Sequence, residues 1–192
     1  MTTIRSFIAM ELEDPETINK IQAFYPRLKQ NQQDLKTVKP ENLHMTVKFL
    51  GNIPEPLAQK IYKILREEIN EDLFQGKTLE YRLKGVGQFN KYSVLWIKLV
   101  GNVQFLQKVK DTIENSLNEK LDIERDKRNK FKPHLTIGRL KKNKINYKTF
   151  DSFKNLIQDN KDLEFGMFTI NQVKLKKSVL TPKGPIYSDL VY

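Results

Sequence analysis

The sequence predicts a mixed α+β fold made of two similar lobes, and two observations support this. Segments with strand-like and with helical spacing of apolar residues alternate along all 192 residues. Sliding the chain by ninety positions then brings a strand, a helix and a histidine-bearing strand onto a second strand, helix and histidine-bearing strand. Such a long period indicates a duplicated unit rather than a solenoid, so we expect a pseudo-twofold axis between the two histidines.

The first copy starts with a predicted strand at residues 4–10. Asp14 and Pro15 are typical of a helix N-cap and the first helical position. The helix that they begin has an apolar face with helical spacing, formed by Ile18, Ile21, Phe24 and Leu28. Residues 43–50 are rich in β-forming side chains and predict the first histidine strand, which Gly51 ends. A second helix is predicted from the apolar spacing of Leu57, Ile61, Ile64 or Leu65, and Ile69.

The second copy starts in two predicted central strands, residues 78–86 and 93–100. The clearest helical stripe of the chain follows, with Val103, Leu106, Val109, Ile113 and Leu117 on one face. Residues 133–140 predict the second histidine strand. A last helix near residues 150–157 and two strands, 173–180 and 186–191, complete the chain, and the composition of residues 182–185 predicts a turn between those strands. We expect residues 1–192 to form a single domain of two intertwined lobes.

Composition limits the classes of function. The chain has no cysteine, which excludes disulfides, thiolate metal sites and a cysteine nucleophile.

The net charge is +11, and residues 120–148 hold eleven basic side chains against three acidic ones. Such a patch favours RNA, DNA or an anionic membrane surface, although solvated loops of a lysine-rich protein would give the same excess. We find no signal peptide and no transmembrane run, so we expect a soluble cytoplasmic protein without membrane attachment.

The only two histidines stand in matching frames, His44-x-Thr46 and His134-x-Thr136. Side chains at i and i+2 of a strand share a face, so each strand offers an imidazole and a hydroxyl together. The intervening apolar residues, such as Met45 and Leu135, point the opposite way and anchor the strand. A lone histidine of this kind is usually structural, but a matched pair predicts one site with two imidazoles.

Two imidazoles fit phosphodiester chemistry without a metal. A neutral imidazole can take a proton from water while a protonated one gives a proton to the leaving oxygen. The hydroxyls of Thr46 and Thr136 can donate to phosphate oxygens, and Arg139 is a candidate cation for the same group, although a strand-end arginine is often only a surface charge. The chain lacks the usual ligand spacing of metal sites and the glycine loops of nucleotide cofactors, so we expect neither metal nor cofactor.

Six stretches, in order and spread over nearly the whole chain, carry a family resemblance: residues 5–9, 40–51, 85–89, 94–96, 131–139 and 178–187. They resemble the 2H phosphoesterase superfamily, named for two His-x-Thr/Ser motifs, and above all the RNA 2′,3′-cyclic phosphodiesterases also known as 2′-5′ RNA ligases. The resemblance implies two pseudo-symmetric β-sheet lobes with flanking helices and a central active-site groove. It also implies metal-independent hydrolysis of a 2′,3′-cyclic phosphate end to a 2′-phosphate.

The resemblance assigns His44 as proton donor and His134 as proton acceptor, which the near-symmetry of the lobes leaves open. It also leaves open which basic residues of 125–132 contact RNA, because this segment is more lysine-rich than is usual in the family. Tyr187 and Phe49 are candidates for stacking on a base, and core packing is an equal alternative for Phe49.

We therefore expect a monomeric enzyme that acts on RNA with a 2′,3′-cyclic phosphate end, such as tRNA fragments, or on cyclic nucleotides. Two other functions remain open. A 2′-5′ RNA ligase would use the same groups to join cyclic-phosphate and 5′-hydroxyl ends, although the excess of water favours hydrolysis. A non-catalytic RNA-end-binding module would bind in a salt-sensitive manner without needing the histidines.

Overall fold

The computed structural model describes residues 3–127 and 131–192. The strands of this part are β1 (Thr3–Glu11), β2 (Lys36–Thr37), β3 (His44–Pro54), β4 (Leu79–Phe89), β5 (Val94–Val100), β6 (His134–Arg139), β7 (Glu164–Ile170), β8 (Lys174–Thr181) and β9 (Gly184–Asp189). Its α-helices are α1 (Pro15–Asn31), α2 (Glu55–Ile64), α3 (Val103–Leu121) and α4 (Phe150–Asp159). A π-helical segment, Leu65–Phe74, continues α2 without a break.

The strands form two antiparallel sheets, which confirms the predicted α+β class. The first sheet has the order β3-β1-β8-β9, and the second has the order β2-β6-β5-β4-β7. The first sheet thus joins strands from both ends of the chain, and the second is built from its middle. The two histidine strands, β3 and β6, lie in different sheets and contact each other. One hydrophobic cluster draws side chains from both sheets and from the helices between them.

Two helices, α1 and α3, cross between the two halves. Helix α1 leaves the first sheet and packs against β7 of the second, where Thr17 Oγ1 donates to the Met167 carbonyl at 3.1 Å and accepts its N–H at 3.0 Å. Helix α3 leaves the second sheet and packs against β3 of the first, where Lys110 Nζ donates to the Val47 carbonyl at 3.0 Å. Within the described ranges, no helix is long and apolar enough to cross a bilayer.

Several details differ from the sequence-based expectation. Strand β3 continues to Pro54, so Gly51 does not end it. Strand β7 was not predicted, because Phe165 and Phe168 are buried three positions apart and break the alternation. The two-residue β2 is too short to leave a pattern. The ninety-residue spacing also fails for the strands that pair with the motifs. Thr46 pairs with Ala9 of β1, and Thr136 pairs with Trp96 of β5. Ala9 and Trp96 are three residues closer in sequence than the two histidines are.

A buried cluster of charges fixes α3 behind β3. Lys48 and Lys110, both 5% exposed or less, each place Nζ 2.7 Å from one carboxylate oxygen of Glu114. Asp126 adds a second carboxylate at 2.7 Å from Lys110, and its backbone N–H donates to Glu114 at 3.2 Å. The Glu124 carbonyl accepts a further hydrogen bond from Lys48 at 2.9 Å. The cluster thus ties the segment after α3 to the back of the first histidine strand.

Replacing Glu114 by alanine should lower the free energy of unfolding by about 3–5 kcal/mol, because two lysines would stay buried without their shared carboxylate. Chemical denaturation of the variant and the wild type measures this loss. Glu16→Ala is the matched control, since Glu16 forms an exposed pair with Lys20 in the first turn of α1 and its loss should cost less than about 1 kcal/mol. Equal stabilities of the two variants would contradict a structural role for the cluster.

Candidate active site

A groove of about 1270 Å³ runs between the two histidine strands. Every site residue expected from the sequence lines it: His44, Thr46, His134, Thr136, Arg139 and Tyr187. Phe49 lines it as well and is 61% exposed, so it does not pack in the core. The fold therefore gathers into one cavity residues that lie up to 143 positions apart in the chain.

His44 is the first residue of β3, and its ring is held at both nitrogens. Nδ1 lies 2.7 Å from the Asn42 carbonyl, and Nε2 lies 3.0 Å from Thr46 Oγ1. Because a carbonyl only accepts, Nδ1 carries the hydrogen, and the neutral ring keeps its lone pair on Nε2. The Thr46 hydroxyl, on the same face of the strand, then donates to Nε2.

His134 is the first residue of β6 and repeats this arrangement. Its Nδ1 lies 2.7 Å from the Lys132 carbonyl, so it too carries the hydrogen on Nδ1. In both motifs the carbonyl belongs to the residue two places before the histidine, Asn42 or Lys132. Sequence reasoning missed these two groups, because a backbone acceptor leaves no side-chain signal. Both imidazoles can therefore use Nε2 for proton transfer.

Each histidine strand contains a β-bulge directly after the His-x-Thr motif. In the first sheet Ala9 pairs with Thr46 and the next residue pair is Ile8 with Lys48, so Val47 is the extra residue. In the second sheet Ile137 is the extra residue in the same way. Both strands share one burial order, in which the fourth and fifth motif residues are buried and the sixth, Phe49 or Arg139, is exposed.

Aromatic side chains pack on both imidazoles. The His44 ring lies 5.0 Å from Phe7 and meets Tyr187 edge-on at 5.3 Å between centroids. The His134 ring meets Phe89 edge-on at 5.0 Å, and Trp96 lies at 6.3 Å. Neither Phe7 nor Phe89 was expected at the site. They restrict the orientation of the rings and remove water from one side of each, which is a packing role that residue type alone does not reveal.

The surroundings of His44 favour its neutral form. Burial lowers the pKa of His44 below its ordinary value of 6.5, the hydrogen bond to the Asn42 carbonyl raises it, and the positive charge of Lys176 lowers it. The Glu11 carboxylate has a smaller raising effect, and Arg139 from the other histidine strand has a smaller lowering one. Burial likewise raises the pKa of the Tyr187 hydroxyl, which therefore stays neutral.

Further cations line the groove. Lys132 lies next to the second motif, and Lys29, Lys36, Lys39 and Lys183 lie elsewhere on the rim. Of the basic residues expected to meet RNA, Arg128 and Lys130 lie outside the described residues. Arg125 lies 3.8 Å from Glu119, which already offsets its charge. Several separate segments of the chain therefore place lysines in the groove that holds the two histidines.

Carboxylates are few in this cavity. Asp34 and Asp126 line it, and Asp126 is engaged with Lys110. Among the residues that the structure describes, no three His, Cys, Asp or Glu side chains are grouped so that they could hold a metal ion. The groups available for chemistry in the described part are thus imidazoles, hydroxyls and cations, which suit an anionic ligand.

The chain is similar to known proteins along nearly its whole length. The family described as the AKAP7 2′5′ RNA ligase-like domain matches residues 6–188. The chain is 35% identical to the RNA 2′,3′-cyclic phosphodiesterase of Methanocaldococcus jannaschii over 96% of both chains. It is 32% identical to the enzyme of the same name from Archaeoglobus fulgidus, over 97% of this chain and 98% of that one. Escherichia coli LigT complexed with 3′-AMP shares the fold with a TM-score of 0.69 at 17% identity, covering all of this chain and 96% of that one.

In the free protein, the ring signals of His44 should titrate with a midpoint below pH 6.5, because burial disfavours the imidazolium. Proton NMR can follow this directly, since the chain has two histidines and the variant His134→Asn leaves only one. In the variant His44→Asn the remaining ring signals belong to His134, which checks the assignment. A midpoint for His44 at or above pH 6.5 would contradict the buried environment described here.

Proposed function

Because the chain belongs to the AKAP7 2′5′ RNA ligase-like family of 2H phosphoesterases, we propose that it hydrolyses RNA 2′,3′-cyclic phosphate ends to 2′-phosphomonoesters. One observation carries the proposal: two imidazoles, each with a threonine hydroxyl beside it, line one groove from two different sheets. Relatives that are about one third identical over nearly their full length carry this activity in their names. Residues 1–192 act as one domain in this proposal, and a monomer suffices because both histidines come from one chain.

The reaction needs one proton taken and one proton given. Water attacks the phosphorus, and one neutral imidazole accepts its proton at Nε2. The bond from phosphorus to O3′ breaks, and the second imidazole, in its protonated form, gives a proton from Nε2 to O3′. The water oxygen stays on phosphorus as a hydroxyl, and O3′ leaves as the ribose 3′-hydroxyl. One imidazole has gained a proton and the other has lost one, so the step balances with the two histidines alone. Each proton transfer typically contributes about 10²–10⁴ to the rate.

The remaining polar groups hold the phosphate. The hydroxyls of Thr46 and Thr136 share a strand face with their histidines and can donate to the two non-bridging oxygens. Arg139 is exposed on the groove and can form a forked pair with the same oxygens as negative charge builds up. Removal of any of these three should slow the chemical step more than it weakens binding, since their contacts strengthen as the charge develops.

We assign His44 as proton donor and His134 as proton acceptor, following the family. In the free protein burial keeps His44 neutral, so the donor role requires the bound substrate to raise its pKa. A phosphodiester anion between Arg139 and His44 does this, because it neutralises a cation that disfavours the imidazolium and adds a favourable negative charge. The NMR titration repeated with adenosine 2′-monophosphate should therefore move the His44 midpoint upward.

Phe49 and Tyr187 complete the proposed site on the β3 side. Phe49 presents an exposed ring to the groove, which suits stacking on the terminal base. Tyr187 contacts the edge of the His44 ring and lines the cavity, so it both positions the imidazole and borders the nucleotide. The E. coli LigT complex with 3′-AMP shows that a protein of this fold accepts a nucleoside monophosphate.

Ligation of RNA ends is the second candidate, because the family carries the name 2′5′ RNA ligase-like. Incubation of cyclic-phosphate and 5′-hydroxyl RNA halves, followed by gel separation of joined and hydrolysed products, distinguishes the two reactions. We expect hydrolysis to dominate, since water competes with the 5′-hydroxyl at the same position. A binding module without turnover would leave both halves unchanged.

Replacing either His44 or His134 by alanine should reduce turnover of a 2′,3′-cyclic mononucleotide by at least about 10²-fold, because each variant lacks one proton-transfer group. The measurement is initial-rate kinetics, with separation of 2′- from 3′-phosphate product and with EDTA present in a parallel series.

The double variant should be little worse than either single variant, since the two groups act in one step. Circular dichroism and thermal unfolding show whether the variants keep the fold, and Lys60→Ala on the outer face of α2 serves as an active control. Full activity in either histidine variant would rule out the two-histidine mechanism.

A further inference from the structure

The basic stretch of the chain divides into two parts with different surroundings. In the first part Lys120 pairs with Glu68 at 2.8 Å and Arg125 lies 3.8 Å from Glu119. In the second part five exposed cations follow the second motif without an acidic residue between positions 127 and 150: Arg139, Lys141, Lys142, Lys144 and Lys148. None of these five has a carboxylate within 4 Å in the described part of the chain. The uncompensated charge therefore lies after the second motif.

These cations continue the groove. Arg139 lines it and pairs across the β2–β6 ladder with Lys36, which lines it too. Lys29 and Lys39, on either side of β2, are exposed groove residues as well, and the nearby carboxylate of the rim is Asp34. A band of positive charge thus runs from the histidine pair, past the edge strand β2, onto the surface of residues 141–148.

The backbone under this band is fixed. Gln32, fully buried at the end of α1, exchanges two hydrogen bonds with the backbone of Asn146, at 2.9 and 2.8 Å. Thr149 Oγ1 donates to the Asn31 carbonyl, and the Leu140 N–H donates to Ser93 at 3.0 Å. The cations therefore project from an ordered loop, which lowers the entropy lost when they hold a ligand. Tyr147, 75% exposed, adds an aromatic face among them.

We propose that this surface is a binding site for single-stranded RNA on the 5′ side of the cyclic phosphate. We call it the basic track and define it by Lys29, Lys36, Lys39, Arg139, Lys141, Lys142, Lys144, Tyr147 and Lys148. The proposal rests on the proposed function and narrows its substrate class to oligonucleotides several residues long. Cations with interspersed aromatics are the combination that tracks a phosphate backbone and stacks unpaired bases.

The opposite side of the histidine pair offers a different chemistry. Phe49 occupies the position in β3 that Arg139 occupies in β6, and the β8–β9 hairpin of the same sheet brings Tyr187 and a single cation, Lys183, to the groove. The two aromatic rings suit a base rather than a chain of phosphates. The charges thus favour one direction for the strand, with the terminal base toward β3 and the upstream phosphates toward β2 and residues 141–148.

The test compares two substrates in two triple variants. The track variant is Lys141→Ala/Lys142→Ala/Lys144→Ala. The matched control, Lys60→Ala/Lys63→Ala/Lys77→Ala, removes three exposed lysines that do not line the groove. The substrates are a 2′,3′-cyclic mononucleotide and a ten-nucleotide RNA that ends in a 2′,3′-cyclic phosphate. Initial rates at several salt concentrations give kcat/KM for each combination of enzyme and substrate, with the wild type measured alongside.

In the track variant, kcat/KM for the RNA should fall about tenfold at low salt, mainly through KM, while the mononucleotide rate stays unchanged. The slope of log kcat/KM against log salt should become shallower by about 2, since each lost phosphate contact on a single strand removes about 0.7. The control should match the wild type. Equal losses in both triple variants, or an unchanged RNA rate in the track variant, would overturn the proposal.

Binding measured without turnover separates this proposal from the proposed activity. Fluorescence anisotropy with a 5′-labelled RNA that ends in a 2′-phosphate should show weaker affinity for the track variant than for the control, whether or not the enzyme cleaves the cyclic end. If no substrate is hydrolysed but this difference persists, the activity is wrong and the track stands. If the track variant keeps its RNA affinity and instead loses affinity for vesicles containing phosphatidylserine, the surface is a membrane contact and the track is wrong.

Discussion

Directly after its His-x-Thr motif, each histidine strand holds one residue more than the strand paired with it, and the site depends on this mismatch. Regular alternation would turn Lys48 and Gly138 toward the groove and Phe49 and Arg139 toward the core. The bulges at Val47 and Ile137 reverse the faces after the motif, so an aromatic ring and a guanidinium reach the cavity. The carbonyls of the two bulged residues are both satisfied, Val47 by Lys110 Nζ at 3.0 Å and Ile137 by the Val38 N–H at 2.9 Å.

The two carbonyls have different partners, so the two halves of the site differ. The Val47 carbonyl accepts from Lys110, which belongs to the buried cluster of lysines and carboxylates on α3. The Ile137 carbonyl accepts from the backbone next to the edge strand β2. The two histidine strands are thus alike on the face that carries the motif and differ on the opposite face. The β3 side of the groove thus presents the rings of Phe49 and Tyr187, with Lys48 and Lys110 held in the buried charge cluster, while the β6 side presents exposed cations such as Arg139 and Lys36.

Much of this was predictable from the sequence, and the failures have physical reasons. Strand alternation places each threonine beside its histidine, as the structure has them, and His44 and His134 do line one groove. The sequence alone leaves the exposure of Phe49 open, because a bulge inserts a residue without disturbing the apolar pattern. The Lys48–Glu114 pair joins residues 66 positions apart, and one sequence carries no signal for a contact of that kind. The carbonyls of Asn42 and Lys132 are invisible to residue type altogether.

Electrostatics link substrate binding to proton transfer. Arg139 disfavours the imidazolium of His44 in the free protein, and a phosphodiester bound between them would remove that effect. The same arginine belongs to the proposed basic track, so RNA binding and the pKa of His44 would share one charged group. In this account, the histidine changes its protonation state when the phosphate arrives.

The pH dependence of kcat/KM for a 2′,3′-cyclic mononucleotide tests most directly whether one histidine takes a proton while the other gives one. We expect a bell-shaped profile between about pH 5 and 8, with unit slopes on both sides, because one imidazole must be neutral and the other protonated. A rate that is flat over this range, or that changes on one side only, would contradict it.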